Sequence, residues 1–230
     1  MAKSSIKIIK IIKTGTLTVE AGEAFSAGTI NMKHSLGIGG GSSVIYIEND
    51  DRKIIVDTGF EYESDMSDAN RTLNLKTLEI ALALKGIVPG DIDAVFITHW
   101  HRDHFGNASI FKRAQLMASR LVAEKFVNEE ITPVDDNIEI ADGVRTLYTP
   151  GHTRGHCSIL VQGDVNIAIA GDVIVDLNYF DKGKLWDHNS NFFDHEAGMK
   201  SMKMLARSSD MIIPGHGTPF SSYEPLWMNG

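Results

Sequence analysis

The chain has one cysteine among its 230 residues, so it cannot form an intramolecular disulfide. Cys157 stands in the apolar segment 157–161, where we predict a small core residue rather than a nucleophile or a metal ligand. The sequence lacks an apolar run of the roughly 18 residues that a membrane-spanning helix needs. Lysines interrupt the apolar stretch at the N-terminus, so a signal-peptide core is missing too. The default expectation is a cytoplasmic protein without a membrane partner.

Positive charge is also scarce, because 22 Lys and Arg face 30 Asp and Glu, giving a formal net charge of −8. The basic residues form no long cluster, so the stripe typical of nucleic-acid-binding proteins is missing. An acidic protein can still act on nucleic acid through bound metals, so this partner is disfavoured rather than excluded. The hydrophobic fraction of 43% is enough for a sizeable core. We therefore expect a single domain spanning residues 1–230.

The stretch T-H-W-H-R-D-H at residues 98–104 concentrates four metal-binding side chains: His99, His101, Asp103 and His104. Imidazole and carboxylate together suit a divalent metal such as zinc. These four groups cannot all be aimed at one tetrahedral ion, because alternate side chains in a tight loop diverge. We predict two ions side by side, one bound by the first two histidines and the other by Asp103 and His104. A solvated polar loop is the alternative, and the apolar strand expected just before the stretch argues against it.

Three further polar residues each follow a strand-like segment and stand beside glycine: His152, Asp172 and His216. Glycine lets the backbone turn sharply and approach a metal closely. A single histidine in such a position is more often structural than a ligand, but three such residues at strand ends together indicate metal ligands. His156, four positions after His152, is predicted to make a structural hydrogen bond rather than to bind metal.

The motifs H-W-H-R-D-H, T-P-G-H, A-G-D and P-G-H-G occur in this order, and V-D-T-G precedes them at residues 56–59. Together they span residues 57–216 and resemble the motifs of the metallo-β-lactamase superfamily. The resemblance implies an α/β fold, the four-layer αββα sandwich, with metals at the edge between two sheets. It also implies the ligands of each ion: His99, His101 and His152 for the first, Asp103, His104 and His216 for the second, and Asp172 bridging both.

Two divalent ions roughly 3.5–4 Å apart can share a bridging hydroxide, which exists at neutral pH because metals lower the pKa of bound water. We expect Zn²⁺ as the metal, with Mn²⁺ or iron as alternatives. Asp172 and Asp103 are the predicted catalytic residues. Asp172 is expected to set the separation of the ions, and Asp103 to help move a proton to the leaving group. Asp57 is predicted either to hold a ligand imidazole in the right tautomer or to be a strand-end turn residue.

Several features of the sequence disfavour particular classes of enzyme within the superfamily. His101 stands where flavodiiron reductases carry Glu, so a reductase of that kind is disfavoured. About 14 residues follow His216, so the glutathione-binding helical region of glyoxalase II is not expected. His152 and Asp172 occupy the third and fourth ligand motifs, so the cysteine ligand of true zinc β-lactamases is missing. The segment 171–220, with G-D-V at its start, a Trp in its middle and P-G-H-G-T-P-F at its end, looks similar to the metallo-β-lactamase-domain-containing protein 1 group.

We predict a dinuclear hydrolase of a small-molecule ester, lactone or thioester. One alternative is a metal-dependent phosphodiesterase or ribonuclease. The other is a mononuclear iron dioxygenase of the persulfide dioxygenase kind, in which histidines of the first set with Asp172 would hold one iron. The aromatic segment 178–194 forms either a substrate wall or an ordinary packed segment. The superfamily often forms dimers, so a homodimer is allowed, although no segment of the sequence marks an interface.

Alternating apolar residues and turn signals predict nine strands: 43–48, 53–56, 92–97, 115–118, 138–140, 143–148, 157–161, 166–170 and 211–213. Helical spacing predicts three helices: 72–85, 120–127 and 195–207. The segment 6–13 carries lysine at every third position, which fits a membrane-surface helix or a first strand with a polar edge. We favour the strand.

Overall fold

Two β-sheets form the centre of the computed structural model, which describes residues 6–16, 41–61, 68–126, 130–187 and 192–229. Within these residues the first sheet has the spatial order β1-β2-β3-β4-β5-β6: β1 (Ile8–Lys13), β2 (Val44–Glu48), β3 (Lys53–Val56), β4 (Ala94–Ile97), β5 (Gln115–Ser119) and β6 (Ile131–Val134). The second has the order β12-β11-β10-β9-β8-β7: β7 (Glu139–Ala141), β8 (Val144–Tyr148), β9 (Cys157–Val161), β10 (Ile167–Gly171), β11 (Met211–Pro214) and β12 (Phe220–Ser221).

Five α-helical segments accompany the sheets in the described ranges: α1 (Asp68–Leu84), α2 (Arg102–Phe105), α3 (Arg120–Ala123), α4 (Leu177–Asp181) and α5 (His195–Ser208). Short 3₁₀ helices occur at three places in the described chain: Pro89–Asp91, Ala108–Ile110 and Leu226–Asn229. No helix among the described residues is both long enough and apolar enough to cross a bilayer.

The inner strands bury residues on both faces of their sheet, and successive side chains of a strand point to opposite sides. In β2, Ile45 and Ile47 belong to the central core, whereas Val44 and Tyr46 belong to the core on the other face. The central core joins residues of both sheets: Ile54, Val56 and Phe96 from the first, and Val144, Ile159 and Ile169 from the second. The two sheets therefore pack face to face.

Helices cover the outer face of each sheet. Leu78 and Leu82 of α1 pack on the first sheet, together with Val122 of α3. Met202 and Leu205 of α5 pack on the second sheet, beside α4. The layers are helix, sheet, sheet and helix, so the predicted four-layer αββα fold is confirmed.

The fold brings the ends of several strands to one edge of the sandwich. Strands β3 and β4 run parallel, as do β10 and β11, so the loops after each pair leave at the same edge of their sheet. Strand β8 runs in the same direction as β10, because both are antiparallel to β9. Backbone hydrogen bonds join the two sheets at this edge, from Cys157 N to Thr98 O and from Ser43 N to Gly215 O.

Most predicted elements are present, and the differences have local causes. Strand β6 was not predicted because it contains Pro133, which cannot donate a ladder hydrogen bond; β6 lies at the edge of its sheet, where proline is tolerated. Helix α1 begins at Asp68, four residues before the predicted start, although its first turn carries no apolar periodicity. The segment 6–13 forms the edge strand β1 from Ile8, as favoured, and Cys157 is buried in the central core.

Candidate metal centre

The loop after β4 brings the four clustered side chains of the sequence motif to the edge between the sheets. All four residues of β4 are buried, and the chain then enters the single turn of α2 at Arg102. His99 and His101 precede that turn, whereas Asp103 and His104 lie within it. Each of these four side chains is at most 4% exposed, so the motif is not a solvated loop.

The three other candidate ligands arrive from the second sheet. His152 lies in the loop between β8 and β9, Asp172 follows β10, and His216 follows β11; each is at most 4% exposed. Helix α5 supports the His152 loop, because Ser201 Oγ donates a hydrogen bond to Pro150 O. Gly215 lies directly against the carboxylate of Asp172, where a Cβ atom would collide with Oδ1.

The first group of side chains consists of His99, His101, His152 and Asp172, whose ligand atoms all lie within 4.8 Å of one another. Asp172 Oδ2 is 3.8 Å from His99 Nε2 and 3.3 Å from His152 Nε2. His101 joins the group through Nδ1, which is 2.9 Å from His152 Nε2. Three imidazole nitrogens and one carboxylate oxygen are therefore close enough together to bind one ion.

The second group consists of Asp103, His104, Asp172 and His216, and its ligand atoms also lie within 4.8 Å of one another. Asp172 Oδ1 is 3.1 Å from both His104 Nε2 and His216 Nε2. Asp103 Oδ2 is 3.5 Å from His104 Nε2 and 3.3 Å from His216 Nε2. Asp172 thus presents one carboxylate oxygen to each group, and it is the residue that the two groups share.

The ring nitrogens that face away from the centre contact oxygen atoms. His104 Nδ1 lies 2.7 Å from Asp57 Oδ2, His152 Nδ1 lies 3.3 Å from Trp186 O, and His216 Nδ1 lies 3.1 Å from Thr16 O. Each of these oxygens accepts a hydrogen bond from an N–H, which leaves the lone pair on the Nε2 atom that faces the centre. Contacts of this kind fix the tautomer of metal-binding histidines.

His156 uses both of its ring nitrogens within the protein. Its Nε2 accepts a hydrogen bond from Asp172 N at 3.1 Å, and its Nδ1 therefore carries the proton that Thr149 Oγ1 accepts at 2.8 Å. Thr149 and Ser158 hydroxyls lie 2.8 Å apart, and Ser158 Oγ donates to Ala170 O. His156 makes the structural hydrogen bonds that the sequence predicted, and it holds the backbone of Asp172.

Burial controls the pKa values of the histidines in the first group. It lowers the pKa of His101 and of His152 to about 3 and that of His99 well below its ordinary value. It also lowers the pKa of His156 to about 3. All four rings are therefore neutral at pH 7, and a neutral imidazole is the form that binds a metal.

Carboxylates have the opposite effect in the second group. Burial lowers the pKa of His216, but Asp172 and Asp103 outweigh it and raise this pKa to about 10. The pKa of His104 lies well above its ordinary value, because Asp172, Asp57 and Asp103 together outweigh burial. Burial favours protonation of Asp172, but His216 and His104 hold its pKa well below the usual range. The buried carboxylates therefore require positive charge here, which a bound cation can supply in place of protons.

The donor atoms of both groups fit divalent metal ions. The Nε2 atoms of His99, His104 and His216 and the Oδ1 atom of Asp172 are buried without a hydrogen-bond partner. Leaving such an atom unsatisfied costs roughly 1–3 kcal/mol, so their convergence needs a ligand to explain it. Imidazole nitrogen and carboxylate oxygen in groups of four suit zinc, manganese or iron.

A cavity of about 560 Å³ opens beside the second group. Its described lining comprises Asp176, Leu177, Asn178, Asp181, His216, Gly217, Thr218 and Tyr223. Asp176 also accepts a hydrogen bond from Tyr179 N at 2.8 Å, and Asp181 accepts one from Tyr223 Oη at 2.8 Å. The carboxylates are therefore held in place at the cavity wall.

Part of the aromatic segment 178–194 lines this cavity, and part of it packs within the protein. Asn178 and Asp181 line the cavity, whereas the side chains of Tyr179, Phe180 and Trp186 are buried and pack within the protein. Residues 188–191 of this segment lie outside the described residues.

The chain matches the family model described as the metallo-β-lactamase superfamily over residues 37–134. It is 31% identical over 173 residues to metallo-β-lactamase domain-containing protein 1 of Rattus norvegicus, covering 73% of this chain and 62% of that protein. It is also 25% identical over 167 residues to an N-acyl homoserine lactonase of Bacillus thuringiensis, covering 66% of this chain and 64% of the lactonase. The chain thus spans about three fifths of the length of these curated relatives.

Solved structures share the fold. A candidate metallo-β-lactamase from Thermotoga maritima superposes with a TM-score of 0.62 at 21% identity, over 93% of this chain and 98% of that one. A variant of AiiA from B. thuringiensis, with N-decanoyl-L-homoserine bound at its active site, superposes with a TM-score of 0.59 at 20% identity, over 88% of each chain. With its ordered motifs, its fold and its sequence relatives, the chain belongs to the metallo-β-lactamase superfamily.

Proposed function

We propose that the protein is a dinuclear metal-dependent hydrolase that acts on an ester, lactone or thioester. One observation carries the proposal: two complete groups of four buried side chains share Asp172, with one carboxylate oxygen turned to each group. A single ion would occupy only one of these groups, and the four converging ligand side chains of the other would bind no metal. The completeness of the second group therefore favours two ions over the mononuclear iron alternative.

In this proposal His99, His101 and His152 would hold the first ion, Asp103, His104 and His216 would hold the second, and Asp172 would contribute to both sites. When bound, two such ions would supply Lewis acidity and lower the pKa of a bound water towards neutrality. We propose zinc as the metal, because three imidazoles and a carboxylate, or two of each, match its preferred donors. Manganese and iron are the alternatives.

The protein's own residues have separate tasks in the reaction. Asp172 holds the two ligand groups together, since it is in contact with a histidine of each group. Asp103 is the second carboxylate at the centre, and we assign it the movement of a proton to the leaving group. The buried position of all the ligands keeps bulk water away from their donor atoms.

The cavity beside His216 supports an uncharged acyl substrate. Its described lining contains the carboxylates of Asp176 and Asp181 and, apart from the candidate ligand His216, no basic side chain. A phosphodiester is anionic, so its approach would be opposed by these carboxylates and by the net charge of −8. An ester, lactone or thioester group carries no such charge. Leu177 and Tyr223 provide apolar surface for the remainder of the substrate.

The comparison with the B. thuringiensis lactonase adds support for an acyl substrate. The name of that relative describes a lactone hydrolase, and its chain aligns with 66% of the present sequence. We therefore include an acylated lactone among the first substrates to test.

The test is a panel of neutral lactones, esters and thioesters alongside a phosphodiester, assayed with the zinc-loaded full chain. We expect hydrolysis of at least one neutral class and a kcat/KM for the phosphodiester at least 100-fold lower. The Asp172→Ala variant is the control for contaminating activity, and its kcat/KM should fall by more than about 100-fold. Turnover confined to the phosphodiester would replace the proposal with the phosphodiesterase alternative.

A further inference from the structure

Thr98 immediately precedes the first histidine of the metal loop, and its side chain is fully buried. Its hydroxyl lies between a carboxylate, which can only accept a hydrogen bond, and an imidazole nitrogen, which can donate one. Oγ1 is 2.8 Å from Asp57 Oδ2 and 3.1 Å from His99 Nδ1. The residue therefore joins a carboxylate behind the centre to a histidine of the first ligand group.

The direction of these hydrogen bonds follows from a count of donors. A carboxylate only accepts, and a hydroxyl has a single proton, so Thr98 donates to Asp57. Its oxygen can then accept from His99, which places the imidazole proton on Nδ1. The lone pair of His99 is thereby left on Nε2, the atom that lies 3.8 Å from Asp172 Oδ2 in the first group.

The same carboxylate oxygen serves the second ligand group. Asp57 Oδ2 accepts from His104 Nδ1 at 2.7 Å, which is much shorter than the 3.3 Å between His104 Nδ1 and Thr98 Oγ1. Asp57 is itself held by the N–H of Thr98, which donates to Oδ1 at 2.9 Å. One carboxylate thus orients an imidazole in each group, His104 directly and His99 through the hydroxyl.

We propose that Thr98 is a positioning residue that carries the orienting effect of Asp57 to His99 and so couples the two ligand groups. The proposal rests on the dinuclear centre proposed above and goes beyond it. Loss of the hydroxyl should loosen His99 and weaken the first ion, whereas loss of the carboxylate should weaken both ions. A residue with only a packing role would show no such difference between the two ions.

The experiment measures Zn²⁺ affinity by competition with a chromophoric chelator, one ligand group at a time. A His216→Ala background leaves the first group intact, and a His101→Ala background leaves the second intact. Thr98→Val, which keeps the shape and removes the hydroxyl, is introduced into each background, together with Thr98→Ser, which retains the hydroxyl. Asp57→Asn is introduced into the same two backgrounds.

A matched control comes from Thr146, another fully buried threonine. Its hydroxyl donates to Asp135 O at 2.9 Å and accepts from Ile138 N at 3.1 Å, and neither partner is a candidate metal ligand. Thr146→Val therefore removes a buried hydroxyl without touching either group. Far-UV circular dichroism and thermal unfolding report whether each variant is folded.

We expect Thr98→Val to weaken the first ion by about 10- to 100-fold, the usual effect of losing a contact behind a metal ligand, and to change the second ion by less than about threefold. Thr98→Ser should restore the first affinity, and Thr146→Val should leave both affinities unchanged. Asp57→Asn should weaken both. Nitrogen-15 NMR of the histidines should show the Nδ1–H form of His99 in Thr98→Ser and its loss in Thr98→Val.

The outcomes separate this proposal from the one on which it rests. If the unmodified chain binds no metal, the dinuclear centre is wrong, and the role of Thr98 is wrong with it. If the chain binds two ions and Thr98→Val binds the first as tightly as its background does, only the role of Thr98 is overturned. Equal weakening by Thr146→Val would also overturn it, because the effect would then be general destabilisation.

Discussion

Asp172 is the residue on which the candidate centre depends most. Its two oxygens face different ligand groups, and its backbone N–H donates to His156 Nε2. Gly215 packs so closely against Oδ1 that a side chain at that position would collide with the carboxylate. Four buried histidines therefore lose a common partner if this carboxylate is removed. Its neighbour His156 contacts the same residue, but through the backbone and with no nitrogen left for a metal.

Asp172→Ala and His156→Ala test this difference directly. We expect Asp172→Ala to lose at least one ion and to lower kcat/KM by more than about 100-fold, beyond the usual effect of a contact behind a ligand. His156→Ala should retain two ions at saturating metal, with affinities weakened by about tenfold. Inductively coupled plasma mass spectrometry and the neutral-substrate assay provide both readouts. A metal-replete, fully active Asp172→Ala variant would exclude the bridging role.

At the residue scale, the sequence predicted which residues gather and offered one contact that orients them, that of Asp57 with a ligand imidazole, but it missed the other orienting contacts. The ligand candidates were visible because four of them lie within six positions and the others follow strands beside glycine. The partner of His216 is the carbonyl of Thr16, which is 200 positions away, and that of His152 is the carbonyl of Trp186. Any residue has a carbonyl, so these contacts leave no signal in the sequence. Thr98 was seen in the sequence only as the first residue of the motif T-H-W-H-R-D-H, and its contacts with Asp57 and His99 were not predicted.

The ends of secondary-structure elements determine where the chemistry is placed. Every candidate ligand follows a strand at the shared edge of the two sheets, and the short helix α2 lets Asp103 and His104 approach the same point as His216. Helix ends matter for stability as well. Helix α1 ends in a turn in which Ile87 N donates to Leu82 O and Gly86 adopts φ +72°.

Two glycine substitutions separate backbone conformation from packing at that helix end. A Cβ at Gly86 or at Gly90 would meet no atom within 4 Å, but only Gly86 has a positive φ. We expect Gly86→Ala to lower the free energy of unfolding by roughly 1–2 kcal/mol because of its left-handed backbone. Gly90→Ala should be neutral or raise it by about 0.4–1 kcal/mol. Urea denaturation measures both, and equal effects would contradict the backbone explanation.

At the element scale, the strands of the core were predicted well because their apolar residues alternate or run continuously between turn signals. Strand β6 escaped prediction because it carries Pro133 and lies at a sheet edge, and β12 because it has only two residues. Helix α1 was predicted from its apolar spacing, yet Ile80 and Leu84 are 61% and 81% exposed. Only Leu78 and Leu82 of that pattern reach the core, so spacing indicated the helix but not its buried face.

Across the whole molecule, the two sheets hold the centre between them. The first sheet supplies the metal loop and Asp57, and the second supplies His152, Asp172 and His216. Ions bound across this junction would link the two halves of the sandwich. The acidic charge of the chain and the carboxylates at the cavity favour cations at the centre and disfavour anionic substrates.

Metal removal should therefore lower the stability of the whole fold. A ligand present at about 1,000 times its Kd stabilises the folded state by roughly 4 kcal/mol, provided that it does not bind the unfolded chain. For a chain of this size we expect chelation to lower Tm by roughly 10 °C. Differential scanning calorimetry with and without chelator measures the shift. An unchanged Tm would mean that the chelated ions did not join the two sheets.

The most direct test of the central claim is the metal content of the purified full chain, determined by inductively coupled plasma mass spectrometry beside the substrate panel. We predict two zinc or manganese ions per chain, together with hydrolysis of a neutral ester, lactone or thioester. One iron per chain with no hydrolysis would contradict the dinuclear hydrolase, and only the fold and the superfamily would stand.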